Sequence, residues 1–178
     1  MPESPDPRWL SDTELAAWLR LLAVVELLPG ALDSQLRRDS SLTHFEYQVL
    51  AMLSETPGRT LRMSALAERT NATLPRLSHV VTRMAERSLV ERSTSPEDRR
   101  ATDVVLTDAG WDVLVDAAPG HVRTARESAF DALTPEQVDQ LAEIAGAMLT
   151  RLDPEGHMSG PVDGCRAGVR TMGAEEER

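Results

Sequence analysis

The chain has 178 residues, 41% of them apolar, which is enough for one domain or two small lobes around a buried core. No stretch reaches the roughly 18 uninterrupted apolar residues of a membrane span, and residues 1–6 lack the basic and apolar regions of a signal peptide, so we expect a cytoplasmic protein without a membrane segment. The net charge of -10 argues at first against a nucleic-acid ligand, because phosphate binding needs local positive potential.

The distribution of the charge changes that interpretation. Residues 62–100, which we call the basic segment, contain eight arginines and five acidic residues, a net charge of +3, while the rest of the chain carries -13. The sequence therefore places one basic region inside an acidic protein, and a contact with phosphate is possible there.

Two capping boxes predict the first two helices. Residues 11–14 and 43–46 both place a hydroxyl residue three positions before a glutamate, the pairing that satisfies free backbone N–H groups at a helix start. Leucine and valine at helical spacing follow the first box, and we expect this helix to be interrupted or kinked at residues 29–30, a Pro-Gly pair. The second helix should stop before the Pro-Gly pair at residues 57–58.

The next two predicted helices have the spacing of a helix-turn-helix. Ser64 can cap a short third helix, and after a tight connection at residues 71–72 Thr73 can cap a fourth, with Pro75 in its first turn. The second helix of such a motif lies in the DNA major groove. An ordinary amphipathic helix with a solvated charged face is the alternative. The fourth helix has Leu77, Val80, Val81 and Met84 on one face and Arg76, His79, Thr82, Arg83 and Glu86 on the other.

Two β-prone runs follow the fourth helix. Residues 89–94 and 102–106 are joined by a charged turn, which predicts a hairpin with arginines at its tip. Arg99 and Arg100 would suit the minor groove, where negative potential is concentrated, and Asp98 would orient a guanidinium by a hydrogen bond. A solvated charged turn is the alternative interpretation.

Residues 98–110 carry a resemblance to a known family. They match the pattern D-x-R-x-x-x-V-x-L-T-x-x-G at every fixed position, and together with the preceding helix-turn-helix the chain resembles the MarR family over about residues 10–152. The resemblance implies a mainly α fold with a small β-hairpin wing, a winged helix-turn-helix with N- and C-terminal dimerisation helices. The chain departs from the family pattern at Ser88, where glycine is frequent, and at Pro119-Gly120, which we expect to disturb the helix after the wing.

The remaining segments complete the predicted organisation. Thr107 can cap the helix after the wing, and a capping box with proline at residues 134–137 starts the last helix. The resemblance implies that the terminal helices of two chains interlock in a homodimer, although the same apolar stripes could close a core within one chain. We expect a flexible arm at 1–10, dimerisation helices at 11–42 and 107–152, the winged helix-turn-helix at 43–106, and a disordered tail at 153–178.

The functional hypothesis is a sequence-specific transcriptional regulator that binds a pseudo-palindromic double-stranded DNA operator as a dimer. The resemblance implies that it acts as a repressor. The resemblance also implies control by a small aromatic or anionic effector at the junction of the two lobes, where Trp18, His44, Tyr47 and Arg62 are the candidate residues. A winged helix that binds an acidic protein instead of DNA is the alternative. The predicted DNA-binding residues are Thr73, Arg76, Ser78, His79, Thr82, Arg83, Asp98, Arg99 and Arg100.

Catalytic, metal and cofactor sites are not predicted. The four histidines, including His121 and His157, are far apart in sequence and have no cysteine or carboxylate at ligand spacing, and the sequence has neither a phosphate-binding glycine loop nor a nucleophile motif. The single cysteine, Cys165, cannot form an internal disulfide, which leaves an exposed redox-active thiol as its one candidate role.

Overall fold

A computed structural model of the chain describes residues 7–95, 98 and 100–158. Arg99, Cys165 and the greater part of the predicted tail lie outside the described residues. The described part is mainly helical with one small antiparallel sheet, which confirms the predicted fold class. Its helices are α1 (Asp12–Ser40), α2 (His44–Ser54), α3 (Met63–Arg69), α4 (Leu74–Glu86), α5 (Asp108–Ala125) and α6 (Pro135–Leu152), and its strands are β1 (Thr60–Arg62), β2 (Val90–Thr94) and β3 (Thr102–Leu106).

The predicted caps are confirmed at five of these helices and wrong at one. At α3 the N-cap position is Arg62, which makes no side-chain capping bond, and Ser64 lies inside the helix. Strand β1 runs directly into α3, so the end of the strand sets the start of the helix. The confirmed caps, whose side chains accept a backbone N–H, are Ser11, Thr43, Thr73, Thr107 and Thr134.

Neither internal proline interrupts its helix. Helix α1 runs without a break through Pro29, where an interruption or a kink was expected, and α5 continues through Pro119. A proline removes one hydrogen bond of the helix, but tertiary packing can compensate for that loss. Here Leu36 of α1 is fully buried, and a Cβ at Gly120 of α5 would lie 2.8 Å from Nε2 of Gln35. The two helices therefore hold each other in a close crossing.

The sheet has one strand more than the sequence analysis predicted. Its order is β1-β3-β2 with both pairings antiparallel, and Thr60 lies opposite Val105 while Val90 lies opposite Leu106. Strand β1 has three residues, too few to show an alternating pattern, so it was not predicted. The β2-β3 hairpin is the predicted wing.

The hydrophobic core lies where the end of α1 and the start of α5 meet α2, α3, α4 and the sheet. Helix α6, by contrast, has no buried residue, and the first twenty residues of α1 have none either. Two apolar grooves of about 600 Å³ and 660 Å³ separate these helices. The exposed apolar side chains are Leu15, Trp18, Leu19, Leu21, Leu22, Val24, Val25 and Leu27 on α1, and Leu141, Ile144, Met148 and Leu152 on α6.

Helix α1 is also long and apolar enough to cross a membrane, with a mean hydropathy of 1.7 over its best 18-residue window. Arg20 and Glu26 interrupt the apolar residues of this helix, so the sequence has no uninterrupted apolar run of membrane-spanning length here. Length and composition alone do not distinguish a membrane span from a helix that pairs with another protein surface.

Two residues at the base of the wing are constrained by the backbone, Ser88 by its dihedral angle and Gly110 by a close backbone contact. Ser88 has a φ of 59°, the left-handed region in which glycine costs least, which gives the physical reason for the glycine that is frequent there. Gly110, the last fixed residue of the wing pattern, packs against the backbone of Leu89. A Cβ at this position would overlap the Leu89 carbonyl oxygen and lie 2.8 Å from Cδ1 of Leu106. The glycine therefore allows α5 to dock on the wing.

We expect Gly110→Ala to lower the free energy of unfolding by roughly 2 kcal/mol or more, because backbone cannot move aside as a flexible side chain can. Thermal or urea unfolding measures the change. The matched control is Gly146→Ala on α6, where nothing lies within 4 Å of the added carbon, and helix propensity should raise stability by up to about 1 kcal/mol. Equal stabilities of the two variants would contradict the proposed packing of α5 on the wing.

Candidate nucleic-acid interface

Helices α3 and α4 form the helix-turn-helix. The turn between them passes through Asn71, whose φ of 46° is left-handed, and the N–H of Ala72 donates to the Ala67 carbonyl at 2.9 Å. Thr73 then caps α4 by accepting from the Arg76 N–H at 3.4 Å. The turn is thus closed by backbone bonds, and its geometry fixes the direction of α4.

Helix α4 is strongly two-sided, as predicted. Leu77, Val81 and Met84 are fully buried and hold the helix on the core. The opposite side is open to solvent, except that Ser78 is half-buried. An exposed helix face with several hydrogen-bond donors is what base reading in a major groove requires. The structure brings together on this helix the predicted residues Thr73, Arg76, Ser78, His79, Thr82 and Arg83.

Two of the predicted base-reading arginines rest against α2. The Arg76 guanidinium lies over the Phe45 ring, 4.6 Å from its centroid, and Arg83 Nη2 lies 3.9 Å from Oε1 of Glu46. Glu46 is only 3% exposed, and its other oxygen accepts from the Thr43 N–H at 2.7 Å. Both guanidinium groups are therefore oriented by α2 and remain at the surface.

A second set of bonds joins α4 to the wing. The Thr82 hydroxyl donates to the Ser78 carbonyl at 2.8 Å and accepts from Nη1 of Arg92 at 3.1 Å. Arg92 belongs to the basic segment but was not among the predicted site residues. The available signal was its place on β2 two residues after the buried Val90, which puts both residues on the same face of the strand.

The tip of the wing is closed by backbone and side-chain bonds. The Ser95 N–H donates to the Ala101 carbonyl at 3.0 Å, and Oδ1 of Asp98 accepts from the Arg100 N–H at 2.9 Å. Asp98 therefore shapes the turn that presents the exposed Arg100. Its predicted bond to a guanidinium stays a prediction, since Arg99 lies outside the described residues.

Part of the positive charge of the basic segment serves the fold. Arg69 lies 3.7 Å from Glu55 and donates to the Thr56 hydroxyl at 3.1 Å. Arg87 bridges Glu46, at 3.4 Å, and the Ser41 carbonyl, at 3.1 Å. The outward-facing positive charge is thus concentrated on α4 and the wing.

Comparisons with known proteins agree with this geometry. The sequence model of the MarR family matches residues 40–101. Sco3205, a MarR family transcriptional regulator from Streptomyces coelicolor solved in complex with DNA, is 41% identical over 85% of this chain and 94% of its own, with a TM-score of 0.80. The chain belongs to the MarR family.

Two further relatives extend the comparison. AbsC, a MarR family transcriptional regulator from Streptomyces coelicolor, is 38% identical over 82% of this chain and 98% of its own, with a TM-score of 0.77. Transcriptional regulator HosA from Escherichia coli O111:H- is 35% identical over 78 residues, 44% of this chain, and the match spans only 56% of that curated relative. The MarR family is a family of transcriptional regulators with a winged helix.

The predicted effector residues of this MarR chain do not share one place. His44 and Tyr47 meet His121 of α5, with ring centroids 6.0 Å apart for the two histidines and 4.2 Å apart for Tyr47 and His121. The backbone N–H of His44 donates to Oδ1 of Asp33 on α1 at 2.9 Å. Trp18 lies fifteen residues before Asp33 on the same continuous helix, about 22 Å away along the axis, so it does not belong to this cluster.

Arg62, the fourth predicted effector residue, lies outside the cluster, whereas His121 lies in it without having been predicted. Arg62 lies at the end of β1 opposite Asp103, on the sheet. The sequence did not predict His121 as an effector residue, because its approach to His44 depends on the crossing of helices that are distant in sequence. In the described part of the chain there is no group of three metal-binding side chains.

Both clustered histidines titrate below their ordinary range. Burial lowers the pKa of His44, although Asp33 opposes the shift, and burial together with the nearby His44 lowers the pKa of His121. Nδ1 of His121 is buried without a hydrogen-bond partner among the described residues. Neutral imidazoles are therefore the forms that this cluster stabilises.

Stability should decline on mild acidification. The unfolded chain binds protons at these histidines near pH 6.5 while the folded chain does not, so the free energy of unfolding falls as the pH drops through about 6.5 toward the folded-state pKa values. Thermal unfolding between pH 7.5 and 5.5 measures this. The double variant His44→Gln, His121→Gln should lose part of the decline, and a pH dependence identical to that of the unmodified chain would refute the assignment.

Proposed function

We propose that the chain is a sequence-specific regulator that binds double-stranded DNA through α4 and the wing, acts as a repressor, and does so from the cytoplasm. The observation that carries this proposal is the two-sided α4, with one face fully buried and the other an exposed polar face beside an arginine-bearing hairpin. We assign α4 to the major groove and Arg99 and Arg100 to the flanking minor groove or its phosphates.

The chemistry of the exposed face supports base reading. Arginine can make a bidentate contact with guanine, and serine, threonine and histidine can donate or accept at base edges. Arg76 and Arg83 are held by Phe45 and Glu46, so their guanidinium groups lose less rotational freedom on binding than free side chains would. Preorganised arginines favour a specific site over general attraction to phosphate.

Two apolar helix faces support the proposed dimer. Helices α1 and α6 leave large apolar side chains uncovered in a single chain, and Leu27 is 72% exposed. Exposed apolar surface of this extent is typical of a protein interface. We propose that a second copy fills the two grooves, with residues 11–42 and 107–152 as dimerisation helices and 43–106 as the DNA-binding domain. A two-fold dimer would read a pseudo-palindromic operator.

We expect Leu27→Asp to convert a dimer into a monomer at micromolar concentration, because the carboxylate would be desolvated at the interface. Size-exclusion chromatography with light scattering measures the mass. Leu74→Asp is the control, since Leu74 is 50% exposed but lies on α4, away from the grooves. A monomeric unmodified chain would contradict the proposed dimer.

Variants of the wing and variants of α4 should change DNA binding in different ways. Arg100→Ala should weaken binding to all sequences and flatten the salt dependence, because a phosphate contact carries no sequence information. Arg76→Ala should instead relax base preference at one position, by about 1–3 kcal/mol. Fluorescence anisotropy with sequences selected from a random duplex pool measures both effects. Wild-type affinity of Arg100→Ala on the selected operator would refute the role of the wing.

The same titrations separate DNA binding from protein binding. A DNA-binding chain should bind the duplex upstream of its own gene with an affinity that falls steeply as salt rises. If neither that duplex nor the random pool binds, the alternative of a winged helix that recognises an acidic protein is favoured.

We also propose effector control at the junction of the lobes, by a small aromatic or anionic molecule. His44 and Tyr47 support it, because with His121 they place three rings where α1, α2 and α5 meet. Aromatic faces suit stacking with a flat ligand. A molecule bound there would touch both the dimerisation helices and the DNA-binding domain.

A further inference from the structure

We propose that Arg92 forms a phosphate-binding subsite in the notch between α4 and the wing, where it holds the sugar-phosphate strand that separates the major groove from the minor groove. This inference rests on the proposed DNA binding. It also gives Thr82 a different role, that of a residue which positions Arg92 rather than one which reads a base.

The position of Arg92 follows from the period of β2. Val90 is buried on the core side of the strand, and Arg92, two residues on, points the same way just beyond the edge of the core. There it reaches α4, with Nη1 3.1 Å from the Thr82 hydroxyl oxygen, and remains exposed. Arg92 therefore lies between the two elements that we assign to the two grooves.

The hydrogen bonds leave the charge of Arg92 available. The Thr82 hydroxyl gives its proton to the Ser78 carbonyl, so it can only accept from Arg92, and it neutralises no charge. Arg69, by contrast, has a carboxylate partner within 4 Å. Across the described residues, Arg92 has no carboxylate in ion-pairing distance. A guanidinium has five donors, and one bond to a neutral hydroxyl fixes its direction while the others stay free for phosphate oxygens.

The geometry of duplex DNA places a phosphate group beside Arg92 in the proposed complex. When one element enters the major groove and a neighbouring hairpin enters the minor groove, one phosphate backbone must pass between them. A cation in that notch meets phosphate whatever the base sequence is. The chemistry and the position together favour a backbone contact, which contributes affinity and register rather than sequence choice.

The test compares Arg92→Gln, which removes the charge, with Arg92→Lys, which keeps it, and Thr82→Val, which removes the hydroxyl at similar volume. Binding to a selected operator and to random duplex is measured at several salt concentrations. For each DNA-binding domain that is bound, Arg92→Gln should reduce the affinity for both duplexes by about fivefold at 0.15 M salt. The slope of log affinity against log salt should become less steep by about one for each bound domain. Arg92→Lys should retain the wild-type slope.

Thr82→Val should reduce affinity several-fold with the slope and the base preference unchanged, as expected for a positioning residue. Arg8→Gln, ahead of α1 and with its side chain 92% exposed, is the matched loss of one positive charge outside the dimerisation helices and the DNA-binding domain, and it should bind as wild type. Thermal unfolding confirms that each variant is folded.

Three outcomes would overturn the proposal. If Arg92→Gln keeps the wild-type slope, the phosphate subsite is refuted while the DNA-binding function stands. If Thr82→Val changes the selected base at one position, Thr82 reads sequence and the positioning role is refuted. If the unmodified chain binds neither duplex, the proposed function fails, and this inference fails with it.

Discussion

The buried carboxylate of Glu46 joins the first turn of α2 to the α4 region and adds a polar contact to the apolar packing between them. It caps α2 through Thr43 and pairs with Arg83 and Arg87 of the α4 region. A buried carboxylate without such partners would be costly, so once α2 packs on the core its first turn has to attract positive charge from α4. The same side chain therefore caps one helix and forms ion pairs with the region of another.

This arrangement also explains how an acidic chain can carry a DNA-binding surface. Arginines of the basic segment serve two purposes, because Arg69 and Arg87 neutralise carboxylates of the fold while Arg92 and Arg100 face outward. Salt at physiological strength screens charges more than about 8 Å apart, so the acidic remainder of the chain weakens the local field only slightly at close range. Local charge, and not the total of -10, governs contact with phosphate.

Sequence reasoning succeeded where the deciding physics is local. Helix caps such as Thr73 and Thr134, and the two faces of α4, depend on residues within a few positions of one another. It failed where distant segments decide. Strand β1 exists only because β3 pairs with it. The cluster of His44 with His121 likewise needs two helices to cross, and the Arg92–Thr82 bond needs the wing to fold back on α4.

The wing and helix α5 meet at one closely packed junction. Strand β3 ends at Leu106, and α5 begins two residues later with its cap, Thr107, bonded to the Ser88 carbonyl at 2.7 Å. Gly110 then packs against Leu89 without room for a methyl group. Because the backbone is closely packed at this junction, the start of α5 and the base of the hairpin hold a fixed relative position. The direction in which the wing projects is therefore set by α5 as well as by the sheet.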